Sequence, residues 1–289
     1  MIHVVSQGET LYSISQMYGV SVEKIRYDNQ LFSQVGLAVG QSLLILRPKT
    51  VHIVKPGESL GDIAGAYGIT VRRLLRNNPW LLQQPYPYAG EEVAVTYEND
   101  LGGQRFAGLR VEGYAYPFIS RDILQESLLY IDELLVFSYG FTTSGQLLPP
   151  DGEEYLLNEA RAFGVPAVLV LTPFGETGTF NNQLVKLVSE NMYVQEQLIA
   201  NLHSALQQKQ YAGVDVDFEY ILPEDRELYA AFVRNMRERL APMGYTVSVA
   251  LAPKTSADQP GLLYEGMDYH LLGEYADTVL LMTYEWGYT

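Results

Sequence analysis

The apolar and polar positions divide the chain in two. Up to about residue 97 a unit of roughly 45 residues is used twice. His3, Val5, Gly8, Glu9, Leu11, Ile14 and Tyr18 recur 49 residues later as His52, Val54, Gly57, Glu58, Leu60, Ile63 and Tyr67. Each unit predicts a short strand, then a Gly-Glu-Thr/Ser-Leu turn that opens a helix. In the first unit Leu11, Ile14 and Tyr18 form one apolar stripe at helical spacing. Thr10 and Ser59 stand at N-cap positions, and Gly19 and Gly68 where a helix stops. A second helix through Val22 and Ile25 and a closing strand with Leu43 and Ile45 complete a βααβ unit. The expected boundaries are 1–47 and 51–97, joined by the short link Arg47-Pro48-Lys49-Thr50, with a longer link at 98–110 containing Gly102-Gly103.

From Val111 the pattern becomes short apolar strands separated by helical stretches, which predicts a parallel α/β fold for 111–289. The strands are expected at 111–116, 134–141, 167–171, 213–218, 246–252 and 278–284. Leu228, Phe232, Met236 and Leu240 predict a buried helical face after Pro223. A closed barrel of this kind has eight strands. Six are legible, so the chain is expected to be a fragment, or to have its open edges covered.

One stretch stands apart. Tyr211-Ala212-Gly213-Val214-Asp215-Val216-Asp217-Phe218-Glu219-Tyr220 alternates acids with apolar residues. At the strand period Asp215, Asp217 and Glu219 share one face, and Val214, Val216 and Phe218 the other. Strands are depleted in Asp and Glu, and three like charges on one face repel. The alternatives are an exposed acidic edge, or a row of coupled carboxyl groups at a barrel mouth, where one member stays protonated as a general acid.

Charge sharpens the division. Residues 1–97 carry eight Lys+Arg and seven Asp+Glu, and the remainder eleven and twenty-seven, so a net +1 stands against −16. The acidic part argues against nucleic acid or an anionic membrane as partner, and no apolar run is long enough for membrane insertion. Met1-Ile2-His3-Val4-Val5 enters patterned sequence at once, so no signal peptide is expected. The chain has no cysteine, and its four histidines lack metal spacing; neither metal nor organic cofactor is expected. The 22 tyrosines and two tryptophans suit sugar stacking or ordinary packing.

The repeated unit resembles the LysM module, which binds N-acetylglucosamine-containing glycans such as peptidoglycan and chitin. The resemblance implies sugar contacts from Gly8, Glu9, Thr10, Leu11 and Asn29, and from Gly57, Glu58, Ser59, Leu60 and Asn78. For any one of them, turn and capping chemistry is the competing reading.

The acid row resembles the D-x-x-D-x-D-x-E signature of glycoside hydrolase family 18, a TIM-barrel family, with Ala212 in place of the first acid. The resemblance implies substrate-assisted retaining hydrolysis. Glu219 would be the general acid, Asp217 would orient the N-acetyl group, and Asp215 would tune Asp217. Met282-Thr283-Tyr284-Glu285-Trp286 is similar to the family's last-strand Met-x-Tyr, which implies Tyr284 on the N-acetyl carbonyl and Glu285 in the acid position. Tyr114, Tyr116, Tyr139 and Trp286 are candidates for sugar contact or core packing. Where the family often has Ser-x-Gly-Gly on the third strand, this chain has Leu171-Thr172-Pro173-Phe174. With Ala252-Pro253-Lys254 and the paired units, the pattern is most similar to spore cortex-lytic N-acetylglucosaminidases, implying a spore or cell-wall location. A glycan-binding protein without catalysis and a chitinase-type enzyme are the alternatives.

Overall fold

The computed structural model describes residues 1–32, 36–84, 86–97, 109–175 and 178–284. The chain forms two compact units, 1–109 and 110–289.

In the first unit, strand β1 (Ile2–Val4), helices α1 (Leu11–Tyr18) and α2 (Val22–Asp28) and strand β2 (Ser42–Leu44) form one module. The other contains β3 (Pro48–Ile53), α3 (Leu60–Ala66), α4 (Val71–Asn77) and β4 (Glu92–Tyr97). Each module pairs its two strands antiparallel. Ile14, Ile25 and Leu43 close the first core with no exposure, as the helical stripe requires. Thr10 and Ser59 both make capping boxes, with Ser13 and Asp62. Gly8 (φ +86°) and Gly57 (φ +80°) hold a left-handed turn just before each helix, where a side chain would be strained.

The modules meet at a charged seam. Lys24 on α2 is 4% exposed, and its Nζ bonds both carboxylate oxygens of Asp28 at 2.8 and 2.9 Å. The same ammonium lies 5.7 Å from the Trp80 ring and 5.0 Å from the Tyr97 ring of the other module. Tyr27 meets Trp80 edge-on at 5.9 Å.

In the second unit the elements are β5 (Glu112–Ala115), α5 (Arg121–Leu128), β6 (Glu133–Phe141), β7 (Leu147–Leu148), α6 (Glu153–Phe163) and β8 (Ala167–Leu171). Then come α7 (Asn182–Glu190), α8 (Met192–Lys209), β9 (Gly213–Val216), α9 (Arg226–Leu240), β10 (Thr246–Leu251), α10 (Tyr269–Tyr275) and β11 (Thr278–Leu281). The sheet order is β11-β10-β9-β8-β6-β5, every neighbour parallel, with β7 antiparallel to the end of β6. This is a curled half-barrel of six parallel strands, the expected α/β architecture. The six expected strands are all present; the short β7 hairpin arm was not foreseen.

The pleat sorts each strand between two layers. Leu134, Val136, Leu169, Val214 and Val216 pack outward against the helices, while Leu135, Val168 and Val170 fill the inside. The helical face on α9 differs from expectation. Phe232, Met236 and Leu240 are buried, but Leu228 is 40% exposed and Tyr229 takes its place in the core. A strict four-residue spacing drifts by about 40° per step around a helix of 3.6 residues per turn, so one end of the row, Leu228, leaves the face. Among the described residues no helix is long and apolar enough to cross a membrane.

Candidate active site

The acid row lies where its alternation predicts. Val214, Val216 and Phe218 face the helices with no exposure. On the inner face Asp215 is 1% exposed and Asp217 6%, while Glu219 beyond the strand end is half-buried. Asp217 N donates to Leu171 O at 2.9 Å, which carries the pairing with β8 one residue past β9. Tyr220 then turns the chain out with φ 56°.

Asp215 accepts from the Tyr114 hydroxyl at 2.7 Å on Oδ2 and from Ser248 Oγ at 2.5 Å on Oδ1. Burial raises its proton affinity, and these two donors pull it back. Asp217 has no such relief: its Oδ1 is buried without a hydrogen-bond partner. Burial first, then the charges of Asp215 and Glu219, push its carboxyl up to about 7. Both aspartates thus hold a proton more readily than a free carboxyl, as a buried and coupled pair does. Burial and the neighbouring Asp215 raise the Tyr114 phenol well above the usual range.

Asp217 and Glu219 open into a cleft of about 870 Å³, and they are its only charged lining groups among the described residues. One rim is a chain of aromatic rings. Phe118 stacks on Tyr116 (4.9 Å), Tyr116 meets Phe137 (4.9 Å), and Phe137 meets Phe174 (6.4 Å). The chain continues through Phe174–Phe180 (4.8 Å) and Phe180–Tyr220 (5.8 Å), ending beside Glu219. Leu263, Tyr264 and the exposed Tyr284 line the cleft as well. A buried carboxyl pair beside Glu219, in an aromatic cleft, suits acid–base cleavage of a ring-shaped polar substrate.

Residues 132–288 match the profile of the glycosyl hydrolases family 18. The chain belongs to this family. Residues 3–46 and 52–96 each match the LysM domain. A cortical fragment-lytic enzyme of Bacillus anthracis is 34% identical over 100% of this chain and 67% of its own length. The crystal structure of the Bacillus cereus spore cortex-lytic enzyme SleL superposes with a TM-score of 0.66 at 29% identity, covering 100% of this chain and 66% of that one. A Chromobacterium violaceum chitinase shares the fold, with a TM-score of 0.56 at 22% identity over 62% of this chain and 57% of its own. The chain thus spans about two thirds of the relatives it matches over its whole length.

Against the family 18 signature, Asp215, Asp217, Glu219, Tyr114, Tyr116 and Tyr284 come together in or under one cleft. Tyr139 does not join them. It is 2% exposed, donates to the buried Glu153 and lines a separate notch of about 230 Å³ with Lys209. The expectation of a sugar contact there is corrected: Tyr139 is part of a core network with Tyr211 and Glu153. Glu285 and Trp286 lie outside the described residues. Leu171 stands where the family's third-strand serine is expected, and a serine from β10 reaches the acid row.

In the LysM modules the expected sugar-contact residues divide. Gly8, Thr10 and Leu11, with Gly57, Ser59 and Leu60, form the surface turn into each first helix. Glu9 Oε2 binds His3 Nε2 (3.0 Å) and accepts from Ser6 N (2.7 Å); Glu58 repeats this with His52 (2.8 Å) and Lys55 N (2.7 Å). Asn29 ties Ile25 O and both backbone groups of Leu44. Asn78 does the same with Leu74 and Ala94 and has no exposure, so its expected sugar contact is corrected to a clamp between helix and closing strand.

Sequence reasoning missed Phe137, Phe180, Tyr220, Leu263 and Tyr264. Tyr220 had a signal, since it follows the C-terminal end of a barrel strand, where such sites are built, whereas Phe137 lies inside β6 and Phe180 just before α7. Leu263 and Tyr264 come from the excursion between β10 and α10 and had none.

Proposed function

We propose that the chain is a peptidoglycan glycosidase that cleaves N-acetylglucosaminyl linkages of spore cortex glycan and acts in the spore or cell wall. The observation that carries the reading is the buried carboxyl pair Asp215 and Asp217 beneath Glu219 in the aromatic cleft. Glu219 gives its proton to the leaving glycosidic oxygen as the anomeric C–O bond breaks. The acetamido oxygen of the same sugar forms the new bond to the anomeric carbon, giving an oxazolinium with retention at the end of the two steps. Asp217 orients that acetamido group and balances its developing charge, with Tyr284 on the carbonyl. Water then opens the ring, and Glu219 takes back a proton.

The cleft chemistry supports a neutral chain. With acidic side chains and, among the described residues, no cation lining it, the cleft would meet a muramic lactyl carboxylate with like charge, whereas a muramic lactam carries none. The same acidity disfavours nucleic acid as a ligand. The LysM modules would raise the local concentration of glycan at the barrel.

The test is digestion of purified cortex and of vegetative peptidoglycan, with borohydride labelling of new ends. The expected result is N-acetylglucosaminitol from cortex. Muramitol ends would overturn the assigned bond, and faster cleavage of chitooligosaccharide than of cortex would favour the chitinase reading.

A further inference from the structure

The two sides of the cleft come from opposite directions in the sheet. The aromatic chain belongs to β5, β6 and β8 and the segments after them, and it ends at Tyr220. Leu263 and Tyr264 come from the other side of β9, on the excursion 253–268 that follows β10. That excursion has no helix or strand of its own to fix its shape. Lys254 ties it from within. Its Nζ donates to Met267 O at 2.5 Å and to Ala257 O at 3.4 Å, so one ammonium bridges the two ends of the excursion. The same ammonium lies 5.5 Å from the Tyr269 ring, and Lys254 N donates to the Tyr269 hydroxyl at 2.9 Å. The excursion is also seated against the acid segment. A Cβ on Gly266 would come 2.1 Å from Ile221 O, two residues past Glu219. Beyond it Arg226 holds the Asp268 carboxylate at 2.7 Å.

We infer that Lys254 is a positioning residue that sets substrate affinity: by bridging Ala257 and Met267 it seats Leu263 and Tyr264 as the wall that contacts the sugar ring on the β10 side of Glu219. The inference rests on the glycosidase reading above. An ammonium suits the task because it carries three donors and no acceptor, so it serves two main-chain carbonyls at once. The wall it seats is an aliphatic side chain beside a phenol ring, which offers a pyranose an apolar face and a polar tip. Lys254 itself does not line the cleft, so its substitution reaches the substrate only through that wall.

The experiment compares K254M, K254R, Y264A and the double variant K254M/Y264A in the full chain. Methionine loses the donors, whereas arginine keeps them with the charge. Readouts are kcat and KM on soluble cortex fragments, and amide hydrogen exchange with and without N-acetylchitotetraose, which reports on residues 255–267 separately from the LysM modules. K254M is expected to raise KM about tenfold with kcat within about threefold, as for lost ground-state binding. Its exchange should quicken in 255–267 while the rest of the barrel unit exchanges as in wild type. K254R should keep KM within about threefold, since its guanidinium still donates. The double variant should have the KM of Y264A, because both changes act on one wall. The tetrasaccharide should slow exchange around Tyr264 in wild type and not in K254M. Unchanged exchange of 255–267 in K254M would overturn the inference, as would loosening of the whole barrel unit. So would KM effects that multiply in the double variant, or a fall in kcat at constant KM. If wild type cleaves nothing, the glycosidase reading fails, and exchange with the tetrasaccharide still decides for or against Lys254.

Discussion

The Tyr114 hydroxyl donates to Asp215 Oδ2 at 2.7 Å, joining two residues 101 positions apart in the chain. That bond reaches from the edge strand β5 across the curled sheet to β9, so it forms only when the half-barrel has its curvature. Charge placement in the acid row is therefore a property of the folded sheet, although the row itself is local in sequence.

The Asp217 carboxyl, pushed from 3.8 to about 7 chiefly by burial, makes folding depend on pH. Its folded value lies above the unfolded one, so its contribution is complete below about pH 4 and is lost as pH rises through about 7. A shift of that size corresponds to a cost on the order of 4 kcal/mol at pH 8. Asp217→Asn removes the ionisable group, so the variant should melt higher than wild type at pH 8 and no higher at pH 4. Thermal unfolding at the two pH values checks this, and hydrolysis should be lost at both.

Gly213 shows how closely β9 lies against β10. A Cβ there would come 2.3 Å from Thr246 Oγ1 and 2.4 Å from Thr246 O. Gly213→Ala should destabilise the barrel unit by about 1–3 kcal/mol through overpacking. It should also loosen the Ser248–Asp215 contact two residues on, so activity should fall more than stability alone explains. Denaturant midpoints and kcat of the variant measure the two effects.

The row of acids was legible because alternation of Asp and Glu with valine has no ordinary place in a buried strand. The six strands were legible from apolar runs bounded by turns, and the two modules from repetition. Ser248 and the Lys24 seam were not. A serine in a valine-rich strand reads as an ordinary strand residue, and its contact with Asp215 depends on parallel register with β9. Lys24 on a surface-type helix reads as solvated, and only the rings of Trp80 and Tyr97 from the neighbouring module explain its burial. Tyr139 misled for the reverse reason: the irregular pairing of β6 between Val136 and Tyr139 sends its side chain to the Glu153 network.

The seam carries its own expectation. Asp28→Ala leaves the Lys24 ammonium buried without its partner, which should destabilise the LysM unit by about 3–5 kcal/mol. The double variant Lys24→Met with Asp28→Leu should recover most of that loss. Calorimetry of wild type and the two variants checks this.

Asn78→Ala removes three buried hydrogen bonds between α4 and β4. The unsatisfied carbonyl and amide groups left behind should cost about 2–4 kcal/mol of module stability. Glycan pull-down should weaken with it, while hydrolysis of short soluble cortex fragments stays near wild type.

The central claim is that Glu219 supplies the proton for glycan cleavage, and Glu219→Gln tests it most directly. The measurement is muropeptide release from purified cortex by wild type and variant, with cortex binding followed in parallel. Release by wild type, release at least a thousandfold slower from the variant, and equal binding by both is the expected result, with the size on the order set by loss of an essential acid. Release by Glu219→Gln at the wild-type rate would contradict the assignment.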